Sequence, residues 1–283
     1  MAVKAPGTLL GSGRNADAYD IGDGRVLRRY RDGRDTRAVT REARVMTHAR
    51  ACGVPVPEVF DVSGADIVME RAVGPTMLDV LARRPWTLRA HARELARLHD
   101  LVHQVPASGL AWLALRSPFG AVPGDGHVLL HTDLHPQNVI LTRTGPVIID
   151  WEGASFGPAI ADIALTWVVV GYSEIPPAPR IQTVVMRTFQ SAFTRSFARA
   201  AGPLDESWRH TAIRLRLADP NVLPTEAVRL ERMAAAARAP SSPSSPSPSP
   251  SPPSPSPSPP SPSPSPPSPS PSPERRERPE TSH

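Results

Sequence analysis

The chain has 283 residues and a formal net charge of +5. Residues 240–273 consist only of Ser and Pro. Residues 1–239 are therefore left for a folded core, enough for one two-lobed domain or two small ones. The single cysteine, Cys52, excludes an intramolecular disulfide and a cysteine-based zinc cluster. The longest apolar run is well short of the roughly 18 residues of a membrane span, and no nucleic-acid reader motif accompanies the basic charge, so we expect a cytoplasmic protein with neither a membrane nor a nucleic-acid partner.

Strands and one helix are predicted for the first 74 residues. Gly22-Asp23-Gly24 is a turn signal between the short runs 18–21 and 25–28, which favours a β-hairpin. Residues 36–51 carry apolar side chains at helical spacing and are followed by Gly53, which is typical of a helix end. A short apolar strand is predicted over residues 65–69.

Helical patterns dominate the following residues, 75–239. Helices are predicted over residues 76–84, 87–105, 158–170, 181–201, 205–217 and 225–237. Three short apolar strands interrupt them, at residues 128–130, 139–141 and 147–149. The predicted fold class is therefore α+β, with a small β-rich lobe over residues 1–74, a larger helical lobe over residues 75–239 and a tail over residues 240–283.

The Ser-Pro tail cannot pack a core, because proline lacks a backbone donor and serine adds no apolar area. We expect it to be disordered, extended and polyproline-like. A spacer, a modified stalk and a ligand for a proline-binding partner are its functional alternatives. The fourth alternative is a repeat that arose by slippage in a GC-rich gene and has no consequence for catalysis.

Polar side chains cluster around the three short strands. His131, Asp133 and Asn138 lie between the first two strands, and Asp150 follows the third. In phosphoryl transfer, one Asp orients the acceptor hydroxyl and takes its proton, while an Asn and a second Asp hold magnesium. The pattern predicts Asp133 as the catalytic base and Asn138 and Asp150 as Mg²⁺ ligands. Zinc ligation by His131, His135 and Asp133 is the alternative, but no further His/Asp cluster completes such a set.

The segments HTDLHPQN and IIDWE resemble those of the aminoglycoside phosphotransferase and choline-kinase-like family, whose usual forms are HGDLHPGN and DFE or DWE. The resemblance covers most of residues 9–170. It implies a bilobal protein-kinase-like fold and transfer of the γ-phosphate of ATP, or GTP, to a hydroxyl of a small molecule. It also implies that Asp162, in GPAIADIA, buttresses the catalytic loop, and that His131 fixes the backbone of that loop.

The first lobe carries matching elements. Gly11 and Gly13 fit G-x-G-x-x-A-x-A, close to the glycine loop over nucleotide phosphates, although an ordinary turn is the alternative. Arg28 stands where the family usually has Lys, and Glu42 is the matching acid of the next helix. The neighbouring Arg29 is the alternative candidate for this position, but side chains alternate along a strand, so Arg29 should face the opposite side of the sheet.

Residues 65–74 correspond to the inner strand and hinge of such a kinase. Met69 is expected to line the adenine pocket, and main-chain groups of Glu70 and Ala72 to bond the base edge. Because backbone groups form these bonds to the base, the side chains do not distinguish ATP from GTP.

The acceptor stays open as well. Residues 165–239 carry 10 Lys and Arg against 6 Asp and Glu, which argues against a polycationic aminoglycoside, although a local acidic cleft is compatible with a basic average. A quaternary ammonium would need a cage of aromatic side chains. The candidates for such a cage are Trp167, Tyr172, Phe189, Phe193, Phe197 and Trp208.

A second hypothesis is a catalytically idle kinase-fold protein that binds a nucleotide or a partner. It is motivated by Arg28 in place of Lys and by Thr132 in place of the usual Gly. The intact Asp133, Asn138 and Asp150 favour the enzyme. A protein kinase fits less well, because the stretch after Asp150 leaves no room for an activation loop.

Overall fold

The computed structural model describes residues 7–13, 15–31, 35–106, 127–175, 179–219 and 222–236. Residues 1–239 form one unit and residues 240–283 a second, which lies outside the described residues together with every prediction made for the tail.

An antiparallel five-stranded sheet begins the chain. Its strands are β1 (Thr8–Ser12), β2 (Ala16–Gly22), β3 (Arg25–Tyr30), β4 (Val59–Ser63) and β5 (Asp66–Glu70), in the order β1-β2-β3-β5-β4. The predicted turn joins β2 and β3, where Gly22, Asp23 and Gly24 all have positive φ angles, which glycine adopts without strain. The pairing Arg28↔Ile67 places β3 at the centre of the sheet.

The helix α1 (Thr36–Ala51) connects β3 to β4. Asp35 caps its N-terminus by accepting a hydrogen bond from the Arg37 backbone N–H. Its buried face carries Val39, Met46 and the carboxylate of Glu42. We call β1–β5 with α1 the sheet lobe.

The remaining elements form the helical lobe. Its helices are α2 (Met77–Arg83), α3 (Leu88–His103), α4 (Ala159–Tyr172), α5 (Arg180–Ala201), α6 (Glu206–Leu217) and α7 (Pro224–Ala236), with 3₁₀ turns at Pro85–Thr87 and Pro136–Asn138. A capping box of Thr76 and Asp79 begins α2. The predicted helices are all present with ends that differ by one or two residues. No helix in the described ranges is both long and apolar enough to cross a membrane.

Two short antiparallel strand pairs position the polar cluster. The strand β6 (Val128–Leu130) pairs with β9 (Ser155–Gly157), and β7 (Val139–Thr142) pairs with β8 (Gly145–Ile148). No strand was predicted at β9, because three residues carry no usable periodicity. Buried Trp151 and Leu129 anchor these pairs to the main core. The predicted α+β arrangement of a β-rich first lobe and a helical second lobe is confirmed.

Candidate active site

The loop between β6 and β7, residues 131–138, carries Asp133 and Asn138. Asn138 is buried, and its Nδ2 donates to the main-chain oxygen of Asp133 over 2.9 Å. The Asp133 carboxylate is 48% exposed and lies 3.5 Å from His135 Nε2. Burial raises its pKa, but the hydrogen bond and charge of His135, with smaller contributions from His131 and Arg216, leave the pKa of Asp133 below its ordinary value. Asp133 is therefore a carboxylate at neutral pH.

Both ring nitrogens of His131 are bound to backbone. Nε2 donates to the Ile149 carbonyl over 3.1 Å, and Nδ1 accepts the Asp133 N–H over 3.4 Å. Burial lowers the pKa of His131, which matches a neutral ring with this tautomer. With both nitrogens engaged, His131 has none left for zinc, and the described residues contain no group of three or more His, Cys, Asp or Glu that could hold a metal ion.

Asp162, in the first turn of α4, is fully buried behind the loop. Its Oδ2 accepts the His131 N–H over 3.1 Å, and its Oδ1 accepts the Thr132 N–H over 2.7 Å. Burial raises the pKa of Asp162, but the His103 hydrogen bond and the electrostatic interactions with the His99, His103 and His131 rings lower it well below its usual range. The structure thus brings Asp162 to the position that a buttress of the loop requires.

Thr132 ties this loop to the following one, residues 150–154. It has φ 68°, a left-handed conformation that costs a Thr about 1–3 kcal/mol. Its hydroxyl donates to the Gly153 carbonyl over 2.9 Å. A Cβ on Gly153 would lie only 2.6 Å from that hydroxyl oxygen, so a larger residue at position 153 would force the Thr132 side chain to move. Thr132 is unusual in the sequence, but its contact with Gly153 is visible only in the structure.

Arg28 links the sheet lobe to the second loop. Its Nη1 lies 2.9 Å from Glu42 Oε1, and its Nη2 lies 2.6 Å from Asp150 Oδ1. The Arg28 side chain is 16% exposed and that of Glu42 is 1% exposed, so this pair is largely removed from water. Arg29, the rival candidate, instead pairs with Asp66 on the other face of β3, over 2.7 and 2.9 Å.

The Glu42 carboxylate has a strongly raised pKa. Burial raises its pKa from 4.5 to about 7; Arg28 opposes the change, and the nearby charge of Asp150 adds to it. The Tyr30 hydroxyl donates to the same carboxylate. Burial also lowers the pKa of Arg28, but Glu42 and Asp150 outweigh it, and the net effect is a raised pKa.

The turn between β1 and β2 reaches across to the same loop. Asn15 Nδ2 donates to both carboxylate oxygens of Glu152, over 3.0 and 3.1 Å. Gly13 closes the turn through its N–H to Ala16 O, over 2.9 Å, and a Cβ there would lie 3.1 Å from that oxygen. A Cβ on Gly11 would meet no protein atom within 4 Å. Local packing therefore constrains Gly13 but not Gly11.

These residues surround one cleft of ≈ 1540 Å³ between the two lobes. Its walls include nine of the residues singled out from the sequence: Gly11, Gly13, Arg28, Met69, Glu70, Ala72, Asp133, Asn138 and Asp150. The other three, Glu42, His131 and Asp162, are buried behind those walls. The Glu70 N–H already donates to Glu58 O over 2.8 Å, so of the main-chain groups of Glu70 only the carbonyl oxygen is left for a ligand.

A family model described as "Phosphotransferase enzyme family" matches residues 7–117 and 81–202 of the chain. Among curated proteins, a probable bifunctional tRNA threonylcarbamoyladenosine biosynthesis protein of Methanoculleus marisnigri is 30% identical over 156 residues. A probable serine/threonine-protein kinase BUD32 homolog of Archaeoglobus fulgidus is 28% identical over 115 residues. The matches cover 51% and 41% of this chain but only 24% and 45% of those relatives.

Among solved structures, aminoglycoside phosphotransferase APH(4)-Ia in a ternary complex with AMP-PNP and hygromycin B has a TM-score of 0.52 at 18% identity, covering 81% of this chain and 91% of that one. ADP-bound aminoglycoside phosphotransferase APH(2'')-Ib has a TM-score of 0.52 at 11% identity, with the same coverage. These likenesses concern the fold, and they confirm the predicted bilobal protein-kinase-like architecture. The family resemblance seen in the sequence is confirmed with them.

Proposed function

The chain belongs to the phosphotransferase enzyme family, and from that premise we propose that it transfers the γ-phosphate of ATP to a hydroxyl group of a small molecule, with Mg²⁺ as its metal. The acceptor oxygen forms a bond to the γ-phosphorus while the bond from that phosphorus to its bridging oxygen breaks. The acceptor proton passes to Asp133, and the products are a phosphate monoester and ADP. GTP is the alternative donor.

The donor set suits magnesium. Because Asn138 directs its Nδ2 at Asp133 O, its amide oxygen is the atom left for a cation. Asp150 adds a carboxylate that is 42% exposed in the same cleft. One carboxylate and one amide oxygen, completed by water and phosphate, are typical Mg²⁺ ligands. When bound, the metal supplies positive charge against the phosphates.

The cleft also suits a nucleotide. The glycine at position 11 has no packing reason in the protein, whereas backbone approach to a phosphate requires the absence of a Cβ. Arg28, fixed by Glu42, offers a permanent positive charge beside Asp150, the task that we assign to it in place of a lysine. Met69 and Ala72 line the part of the cleft that would receive the base.

Asp133 orients the acceptor more than it acts as a strong base. Its lowered pKa keeps it ionised, so its carboxylate accepts a hydrogen bond from the attacking hydroxyl and receives the proton late. The loop around it is held by Asp162 and Thr132. A preorganised loop of this kind lowers the cost of aligning the reactants.

A small-molecule acceptor is favoured over a protein acceptor. Only eight residues, 151–158, separate Asp150 from the start of α4 at Ala159, and β9 occupies three of them. This segment leaves no length for an activation loop and a peptide platform.

The observation that carries the proposal is the convergence of Arg28, Asp133, Asn138 and Asp150 on one cleft. We would measure the melting temperature of the full chain with and without Mg-ATP and Mg-GTP. A nucleotide at a hundredfold excess over its Kd stabilises by about 2.7 kcal/mol, or roughly 5–10 °C for a domain of this size. The rise should require magnesium and disappear in Asp150→Ala.

The matched control is Asp61→Ala, which removes an exposed carboxylate on β4 outside the cleft. It should keep the full nucleotide-dependent rise. A rise that survives in Asp150→Ala, or that needs no magnesium, would contradict the assigned site.

A second candidate is the idle kinase-fold protein. One contact favours it: Arg28 Nη2 lies 2.6 Å from Asp150 Oδ1 and competes there with a cation. On that account a nucleotide raises the melting temperature without magnesium, and no phosphate is released over hours.

A further inference from the structure

Apolar side chains form most of the cleft wall on the helical-lobe side of Asp133. We call Val169, Val170, Met186, Phe189 and Leu215 the acceptor wall; they come from α4, α5 and α6, and all five line the cleft and are partly exposed to it. Their helices pack against one another in the pairs α4·α5 and α4·α6. The wall is therefore part of a packed scaffold, and its apolar surface is available to a ligand.

Charged side chains are few on this side and are mostly paired. Arg216 lies 2.7 Å from Asp219 through Nη1 and 2.7 Å from buried Glu226 through Nε. Glu174 is exposed at the rim of the cleft and has no ion pair within the described ranges. The segments 107–126, 176–178 and 220–221, which lie outside those ranges, contribute by sequence a single acid, Asp125.

These charges suit one positive group rather than several. Asp133 is committed to the reacting hydroxyl, and Asp219 is held by Arg216, which leaves Glu174 for a ligand amine. A ligand with four ammonium groups would place most of them against the acceptor wall, where an unpaired charge loses hydration without gaining a partner.

Within the described residues of α4 and α5, the aromatic side chains considered for a quaternary-ammonium cage do not converge into one. Trp167 and Tyr172 contact each other with ring centroids 5.4 Å apart, and arginines cover them: Arg209 lies 5.5 Å from the Trp167 ring, and Arg229 lies 5.5 Å from that of Tyr172. Phe197 is fully buried. Of the candidates considered from the sequence, Phe189 and Phe193 line the cleft, and Phe193 is itself almost fully buried.

We propose that the acceptor is an alcohol with a largely apolar body and at most one positive charge, whose body lies on the acceptor wall while its hydroxyl meets Asp133. The transfer step is the one given above, so this inference rests on the proposed function. Its binding part does not depend on turnover. The amine, where the acceptor has one, faces Glu174.

The test is competition for the neutral fluorescent dye N-phenyl-1-naphthylamine on the full chain, with three competitors: 4-phenylbutanol, choline and the polycation kanamycin. We expect 4-phenylbutanol to displace the dye at least tenfold more effectively than the other two. The variant Met186→Glu places a charge in the acceptor wall and should weaken both dye and alcohol about tenfold or more. Val185→Glu is the matched control, because Val185 neighbours Met186 on α5 but is 61% exposed and lies outside the cleft.

Three outcomes overturn the proposal: kanamycin displaces the dye more effectively than the alcohol, choline does so, or Met186→Glu and Val185→Glu weaken dye binding equally. A milder wall variant, the isosteric Val169→Thr, repeats the test if Met186→Glu does not fold. Phosphate transfer from Mg-ATP is measured beside binding. Transfer to kanamycin alone would refute the proposed acceptor class and keep the function. The expected order of binding without any transfer would refute the function and keep only the chemical class of the ligand.

Discussion

Replacing Glu42 with Gln should remove a large pH dependence of folding stability. The Glu42 carboxylate is 1% exposed, and its burial raises its pKa from 4.5 in the unfolded chain to about 7 in the folded protein. Because the folded state binds this proton more tightly, the protonated group stabilises the fold fully below about pH 4.5. That stabilisation is lost as the pH rises through about 7. The difference in pKa corresponds to about 3 kcal/mol.

His99 produces the opposite dependence in an overlapping range. Burial lowers its pKa from 6.5 to about 4, so its contribution is present above about pH 6.5 and is lost as the pH falls through 4. Between about pH 4.5 and 6.5 the two slopes oppose each other in the wild type. The pH dependence of the free energy of unfolding of the wild type therefore does not reveal either contribution by itself. The difference in this free energy between wild type and Glu42→Gln isolates the contribution of Glu42.

The assay is urea unfolding of the full chain at four pH values from 4.5 to 7.5, for the wild type, Glu42→Gln and the exposed control Glu58→Gln. The free energy of unfolding of the wild type, minus that of Glu42→Gln, should fall by about 3 kcal/mol across this range. Glu58→Gln removes an exposed carboxylate of the same lobe and controls for the general effect of replacing a Glu with Gln. A rise with pH would refute the reasoning, since it would mean that Arg28 holds the carboxylate ionised despite its burial.

Three further predictions concern contacts between the lobes and loops. Arg28→Met should weaken Mg-ATP binding about tenfold or more, with Arg28→Lys intermediate because one ammonium cannot match a two-pronged guanidinium; equal affinities by titration would remove Arg28 from the site. Gly153→Ala should cost about 1–3 kcal/mol of stability, because its Cβ would lie 2.6 Å from the Thr132 hydroxyl. Adding Thr132→Gly should recover part of that loss in urea unfolding, and strictly additive losses would contradict the contact. Asn15→Ala breaks an exposed hydrogen bond to Glu152 and should speed ADP dissociation in stopped flow while leaving the melting temperature of the ligand-free protein within about 1–2 °C.

The relative positions of the predicted site residues follow from the sequence where spacing along the chain decides position. Asp133, Asn138 and Asp150 flank short strands, and strands that pair as β7 and β8 do bring their flanking residues into one cleft. The choice of Arg28 over Arg29 followed from strand alternation, and the structure places Arg28 against Glu42. These inferences needed only local geometry.

Contacts between distant segments could not be predicted in the same way. Asn15 and Glu152 are 137 residues apart. Neither the β1–β2 turn nor the loop at residues 150–154 has a sequence pattern that predicts contact with the other. The Thr132–Gly153 contact likewise depends on how two loops meet, although an unusual residue at position 132 was the available signal.

Average charge disfavours the same polycationic acceptor that our proposal disfavours, but it does not show where the charges lie. Residues 165–239 carry an excess of arginine, but Arg209 and Arg229 lie on aromatic rings and Arg216 is held between two carboxylates. These contacts depend on how the helices pack, which a sum of charges does not contain. The apolar acceptor wall emerges only when α4, α5 and α6 are assembled.

The most direct test of the assigned catalytic residues is magnesium-dependent release of phosphate from ATP, with water as the acceptor, for wild type, Asp133→Asn, Asp150→Asn and the control Asp61→Asn. We predict slow turnover by the wild type and the control that stops without magnesium. Asp150→Asn should lose it, and Asp133→Asn should fall by about 10²-fold or more, as for loss of a base at the reacting hydroxyl. Wild-type rates in Asp133→Asn and Asp150→Asn would contradict the assignment of these carboxylates.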